Sequence, residues 1–307
     1  MIRPGGRAAC AALLACAGAV FASCGLGAGP TPNNVQLTIT RDFGAGALGQ
    51  FTRPKVSGSD TAMRLLERNA TVATRYGGGF VQSVNGVAGS AGKLDWFYYV
   101  NGIEAAKGAA STKLHAGDHV WWDRHYWGGA SDVRAVVGAF PEPFVHGQGG
   151  KRYPVRVECD DPSTAACNAV SHQLTGRGIP AARGGLLLAE YNEVLRVLVG
   201  PWPRLRADPA AQQLESGPRA SGVYARIDKS GRAITTLDEH GGAVRTLGPG
   251  SGLVAATRFS DQPPVWIVTG TDAAGVAAAA RAFEPGALSD TFALAVSQDQ
   301  GIPLPTR

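Results

Sequence analysis

The chain has no apolar run long enough to cross a bilayer. The one candidate, residues 8–21, is interrupted by Ser23, Cys24 and a Gly-rich stretch, short of the roughly 20 residues that a spanning helix needs. Basic clusters are also missing: the formal charge of +5 is spread along the chain, which argues against nucleic acid as a partner. There is no Gly-x-Ser-x-Gly elbow and no His-Glu-x-x-His pair. The nearest approach to a phosphate loop, Gly270-Thr271-Asp272-Ala273-Ala274-Gly275, lacks the Lys-Ser/Thr of a P-loop, and Asp272 would repel phosphate. A capped helix following a buried strand is expected there instead. Cysteine is scarce, and no second Cys or His pair stands at zinc spacing. These absences point to a non-catalytic protein with no metal and no tightly held cofactor. An activity assembled from distant residues is the residual alternative.

What is present begins at the N-terminus, where Arg3 and Arg7 precede the apolar stretch in the manner of a signal peptide. Phe21-Ala22-Ser23-Cys24 resembles the bacterial lipobox, in which small residues precede a Cys whose thiol receives a diacylglycerol; Phe21 stands where Leu is usual. The resemblance makes residues 1–23 a lipoprotein signal peptide and Cys24 the lipidated first residue. Residues 24–34, small and Pro-containing, then form a flexible tether, and the protein is extracytoplasmic, with the membrane as a partner through the lipid. Ordinary secretion after cleavage near Ala22 or Ala28 is the alternative. Once Cys10 and Cys16 leave with the leader and Cys24 is acylated, Cys159 and Cys167 are the remaining pair and are expected to form a disulfide. With 44% hydrophobic residues, 42 Gly and 19 Pro, the mature chain reads as globular and loop-rich, with room for two domains.

Regular pattern starts at Val35, where Val35, Leu37 and Ile39 alternate with polar residues as a half-buried strand does, until the Gly-rich stretch after Phe43 breaks it. Ser59 or Asp60 can cap a helix whose apolar positions are Ala62, Met63, Leu65, Leu66 and Ala70. Strands follow at 80–84, 96–100 and 119–127, with turns at Asn85-Gly86, Asn101-Gly102 and Gly117-Asp118. The order of Ser59-Asp60-Thr61-Ala62, Leu65-Leu66, Tyr76-Gly77, Trp96-Phe97-Tyr98-Tyr99-Val100-Asn101-Gly102 and Gly117-Asp118-His119-Val120-Trp121-Trp122 resembles the transcobalamin C-terminal-like family. The resemblance covers roughly residues 35–127 and implies a small β-grasp-like domain, residues 35–128. That family includes the smaller domain of animal cobalamin carriers and many bacterial surface proteins, so cobalamin is the ligand the resemblance would suggest. The large helical partner domain of those carriers has no counterpart here.

In strand 96–100, Trp96, Tyr98 and Val100 share one face and Phe97 and Tyr99 the other. The first set is expected in the core, and the second facing the neighbouring domain or a ligand. In strand 119–127, His119, Trp121, Asp123, His125 and Trp127 line one face, read here as a solvated polar face. Tyr76, Phe97, Tyr99, Asn101 and Trp121 are the candidate ligand-binding residues.

Residues 129–152, rich in Gly and Pro but apolar at 133–140, read as an ordered connection. Beyond it, strands at 154–158, 194–199, 222–227, 233–237, 252–259 and 265–269 alternate with helices at 165–174 and 273–283. That is a separate α/β domain spanning 153–307, and the whole is α+β. The function expected is a ligand-binding or scaffold module at the cell surface, with an unidentified small molecule or surface protein as partner. The alternative is a small-molecule carrier feeding a transporter, which predicts a concave cleft between the domains.

Overall fold

The computed structural model describes residues 30–187 and 193–307; the expected signal peptide, residues 1–23, and the expected lipidation site Cys24 lie outside the described residues. In chain order the first region contains β1 (Gln36–Arg41), β2 (Gly46–Phe51), α1 (Ala62–Asn69), β3 (Val72–Arg75), β4 (Phe80–Val84), β5 (Val87–Ala88), β6 (Leu94–Val100), β7 (Ile103–Glu104) and β8 (His119–Tyr126). The second contains β9 (Val155–Cys159), α2 (Ala165–Thr175), β10 (Ala181–Gly185), β11 (Leu195–Pro201), the one-turn helices α3 (Trp202–Leu205), α4 (Pro209–Gln212) and α5 (Pro218–Ser221), β12 (Ala225–Ile227), β13 (Ile234–Leu237), β14 (Ala243–Leu247), β15 (Gly252–Thr257), β16 (Val265–Gly270), α6 (Ala273–Ala282), α7 (Pro285–Leu288), β17 (Ala293–Ser297) and β18 (Gln300–Leu304). The fold is mixed α+β, as the pattern of the sequence predicts.

The first sheet has the order β2-β1-β8-β6-β7, with β1 and β8 parallel and the other pairs antiparallel. One face buries Leu37, Ile39, Trp96, Tyr98, Val120 and Trp122 against α1, whose Met63, Leu65 and Leu66 face inward. Asn101 and Gly102 both take positive φ, as the two-residue hairpin between β6 and β7 requires. The helix cap is Thr61 rather than Ser59 or Asp60. Asp60 is instead buried, accepting from Ser57 N at 2.8 Å and Arg68 Nε at 2.7 Å. The Gly-rich stretch after Phe43 does not end the sheet. It turns back as edge strand β2, because glycines at an edge need no facing side chains to fill the ladder.

The second sheet has the order β10-β9-β11-β16-β15-β17-β18, parallel over its first four strands and antiparallel beyond. It is buried on both faces, and alternation sorts the residues: Val197, Val199, Trp266 and Val268 lie under α2 and α6, while Leu198, Ile267, Leu253 and Ala255 face the opposite core. Asp272 caps α6 by accepting from Gly275 N at 2.8 Å, as expected of the Gly270 to Gly275 segment. Cys159 and Cys167 form the anticipated disulfide between the end of β9 and the first turn of α2. A loop this short contributes about 2–3 kcal/mol through the unfolded chain.

The two regions share a buried cluster: Phe43, Tyr99 and Trp121 from the first meet Phe292, Tyr224 and Leu198 from the second. Gly44, at φ +86, lies so close to the carbonyl of Asp290 that a Cβ there would sit 1.7 Å from its oxygen. Residues of the Gly/Pro-rich connection belong to the core: Phe140 and Phe144 pack on Trp266 and Phe283.

One expectation is overturned. The β8 face carrying Trp121, Asp123 and His125 is not solvated, because it lies against the second region. Asp123 is buried, and among the described residues no Lys or Arg pairs with it. It accepts from Phe43 N at 3.0 Å, Gly44 N at 2.9 Å and Thr40 Oγ1 at 2.5 Å, and pairs with His125 Nδ1 at 2.9 Å. Its oxygens thereby fix the turn after β1, which satisfies the buried polar groups without water.

Candidate functional site

The most exposed aromatic surface lies at the end of the first sheet remote from the β6–β7 hairpin. β3 and β4 pair with Arg75 opposite Phe80, and the four residues between them form a tight loop. Tyr76, Gly77 and Gly78 take φ of 53°, 69° and 93° in succession. Only glycine adopts such angles without strain, and a Cβ on Gly77 or Gly78 would touch nothing, so backbone freedom alone accounts for the Gly pair. The loop presents Tyr76 at 87% exposure, and Phe80 beside it is 38% exposed.

The opposite wall comes from the end of β8 and the turn before β6. Trp127 is half-buried; its backbone N–H donates to Lys93 O at 2.9 Å and its Nε1 donates to Asp95 Oδ2 at 2.8 Å. The Lys93 ammonium sits 5.5 Å from the Trp127 ring centroid, a cation–π contact. Gln82, Ser90 and Arg75 complete a groove of about 540 Å³. Among the described residues neither Arg75 nor Lys93 is ion-paired, while Asp95 is committed to Trp127. Aromatic faces beside two available cations suit a ring-shaped or planar molecule that carries acceptors or negative charge.

Of the five candidate binding residues, only Tyr76 belongs to this groove. Phe97 is partly buried and stacked on His125 at 4.4 Å. Tyr99 is fully buried against Trp121 and Phe292, with ring centroids 5.9 and 5.6 Å away. Trp121 is likewise enclosed, its Nε1 donating to Thr40 Oγ1 at 2.7 Å. Asn101 is a buried clamp. Its Nδ2 donates to Asp118 Oδ1 at 3.0 Å and to Gly147 O at 2.8 Å, and its Oδ1 accepts from His119 N at 2.8 Å. Phe80, Trp127, Lys93 and Arg75 escaped the sequence reading. The signal that could have found them is the Gly-rich tip Tyr76-Gly77-Gly78-Gly79-Phe80 and the Trp127 that precedes Gly128-Gly129.

A second concavity of about 390 Å³ opens between the two regions, with Phe51 and Phe140 among its walls and His119, Glu142 and His146 on its polar side. His119 is engaged with Thr38 Oγ1 at 2.9 Å, and burial lowers its pKa to about 4, so the ring is neutral at pH 7. Glu142 Oε1 lies 2.6 Å from His146 Nδ1, and its Oε2 accepts from His146 N at 2.9 Å, an arrangement that closes its own turn.

No curated protein and no solved structure matches the chain. A family described as a domain of unknown function (DUF4430) matches residues 59–125, which run from two residues before the Thr61 cap of α1 almost to the end of β8. The match takes in the Tyr76 loop, Phe80 and Lys93 and ends two residues before Trp127, so the groove is built almost wholly from the family-matched segment.

Proposed function

We propose that this chain is a non-catalytic ligand-binding module at the outer face of a bacterial membrane. Cys24 carries its lipid anchor, and residues 35–128 are a transcobalamin C-terminal-like domain that takes a ligand in the Tyr76–Trp127 groove. The observation that carries this reading is that Tyr76, the most exposed large apolar side chain among the described residues, and the exposed Phe80 converge with Trp127 on one groove. Exposed aromatics gathered at one place, beside Lys93 and Arg75, which form no ion pair among the described residues, are the surface expected of a binding site.

The carrier reading, in which a small molecule such as a corrinoid is delivered to a transporter, draws support from the concavity between the two regions. Under it the ligand would contact Phe51 and Phe140 rather than Tyr76. One experiment separates the two readings: the protein is purified from its native host and any co-purified molecule is identified by mass spectrometry. The expected result is a molecule retained by the native protein and lost from Tyr76→Ala/Trp127→Ala. Equal retention by that variant would remove the groove from consideration. Anchoring has its own test, because a single thiol carries the lipid. Cys24→Ser is expected to move the protein from the membrane fraction to the soluble fraction, and continued sedimentation with membranes would refute the anchor.

A further inference from the structure

At the far end of the first sheet, beyond the β6–β7 hairpin, lies a cavity of about 480 Å³ that the groove reading does not use. Its floor is apolar, formed by Val100, Ile103 and Ala105. Its rim carries Lys107, Lys113 and His115. The walls are built in advance. Tyr98 Oη donates to Lys107 O at 2.5 Å and lies 2.8 Å from Thr112 Oγ1, which pins the loop that holds both lysines. From the other side, Asn101 Nδ2 holds Gly147 O, and Gly150, at φ +78, lets the connection cross the His115 ring at close range.

The charge in this cavity is unbalanced. Among the described residues neither Lys107 nor Lys113 has a carboxylate partner. Asp118 is the only carboxylate lining the cavity, and its oxygens are turned to the protein: Oδ1 accepts from Asn101 Nδ2 at 3.0 Å and Oδ2 from His115 N at 2.7 Å. The charged group nearest to it is His115 on the same rim, whose Nδ1 lies 3.5 Å from Oδ2, so Asp118 is held by its own turn and does not reach either lysine. Two exposed ammonium groups beside an apolar floor offer positive charge to an anion whose body the floor can take. The floor has room for more than an inorganic ion.

From this we infer that the cavity binds a small organic anion, a carboxylate or phosphate monoester carried on a compact apolar body. The lysines hold the charged end as point charges and the β6–β7 hairpin takes the apolar end. Solvated lysines above a shallow dimple would bind neither part selectively.

Calorimetric titration of the full mature chain tests this with four probes: hexanoate, hexyl phosphate, inorganic phosphate and hexanol. At least one of the two amphiphilic anions is expected to bind about tenfold or more tightly than hexanol and inorganic phosphate, and to weaken as salt rises. Which of the two binds identifies the headgroup. Lys107→Met/Lys113→Met should lose about tenfold or more of that affinity with unchanged thermal unfolding, while Lys55→Met, at an exposed lysine elsewhere, should lose none. Tyr76→Ala/Trp127→Ala should bind the anion as the native chain does, so failure here and failure of the groove reading are distinguishable. Binding of hexanol as tight as hexanoate, full affinity in the double lysine variant, or no binding of any probe would each overturn the inference.

Discussion

Replacing Arg196 by Met is expected to destabilise the chain by about 3–5 kcal/mol, read as a fall in the urea midpoint at unchanged slope. Arg196 lies in β11 and is 3% exposed, yet it faces two carboxylates that are equally buried. Its Nε and Nη2 donate to Glu158 Oε1 and Oε2 at 3.1 and 3.0 Å, a bidentate pair across to β9, and Nη2 also lies 2.7 Å from Asp208 Oδ2. Asp208 in turn caps α4, accepting from Ala210 N at 2.9 Å. Methionine fills much of the same volume but takes this cation from Asp208 and leaves Glu158 to the more distant, half-buried Arg156 at 3.4 Å. The cost therefore comes from the buried carboxylates left behind more than from lost attraction. It follows that Arg196→Met combined with Glu158→Met should recover part of the loss. Arg196→Lys should recover only part as well, because an ammonium cannot span both carboxylates as a planar guanidinium does. A loss below about 1 kcal/mol in Arg196→Met would show that the network contributes nothing.

This network also marks where the sequence stops being informative. The apolar spacing around Arg196 identifies a strand, and β11 is there, but a lone Arg in an apolar run does not name partners 38 and 12 residues away. The same limit explains the β8 face. Its alternation of His119, Trp121, Asp123, His125 and Trp127 was legible, yet whether such a row faces water depends on what the rest of the chain lays over it. Here Phe292 and Phe43 do so, and the polar members are satisfied by a backbone turn rather than by solvent. Strands β10, β17 and β18 escaped the sequence reading because they carry Gly, Pro or mixed residues, and pairing within the sheet overrides their weak propensity. The Asn-Gly hairpins, the disulfide and the two long helices of the second region were readable because each is set by local chemistry. The groove was half readable. Tyr76 stood out beside its glycines, but Trp127 joins it only through the fold.

The burial of Tyr99 yields the sharpest test of how the two regions meet. On alternation alone, Trp96 belongs to the core and Tyr99 to the face turned toward the neighbouring domain or a ligand, so truncating Tyr99 is expected to be the milder change. In the folded chain both side chains are buried, Trp96 toward α1 and Tyr99 between Trp121 and Phe292. Tyr99→Ala is therefore expected to cost about 3–5 kcal/mol, as much as Trp96→Ala, because each opens a cavity the size of an aromatic ring in a packed core. The hydroxyl separates packing from polarity. Tyr99 Oη is buried with no hydrogen-bond partner among the described residues, and burial pushes its pKa well above the ordinary tyrosine value. A stranded hydroxyl costs free energy in the folded state, so Tyr99→Phe should be neutral or stabilising by about 1 kcal/mol. Chemical denaturation of the three variants in the full chain measures all of this together. If Tyr99→Ala cost under about 1 kcal/mol while Trp96→Ala cost its full amount, the aromatic face of the first sheet would not be sealed by Phe292 in solution, and Phe97, Tyr99 and Trp121 would return as a surface open to a ligand.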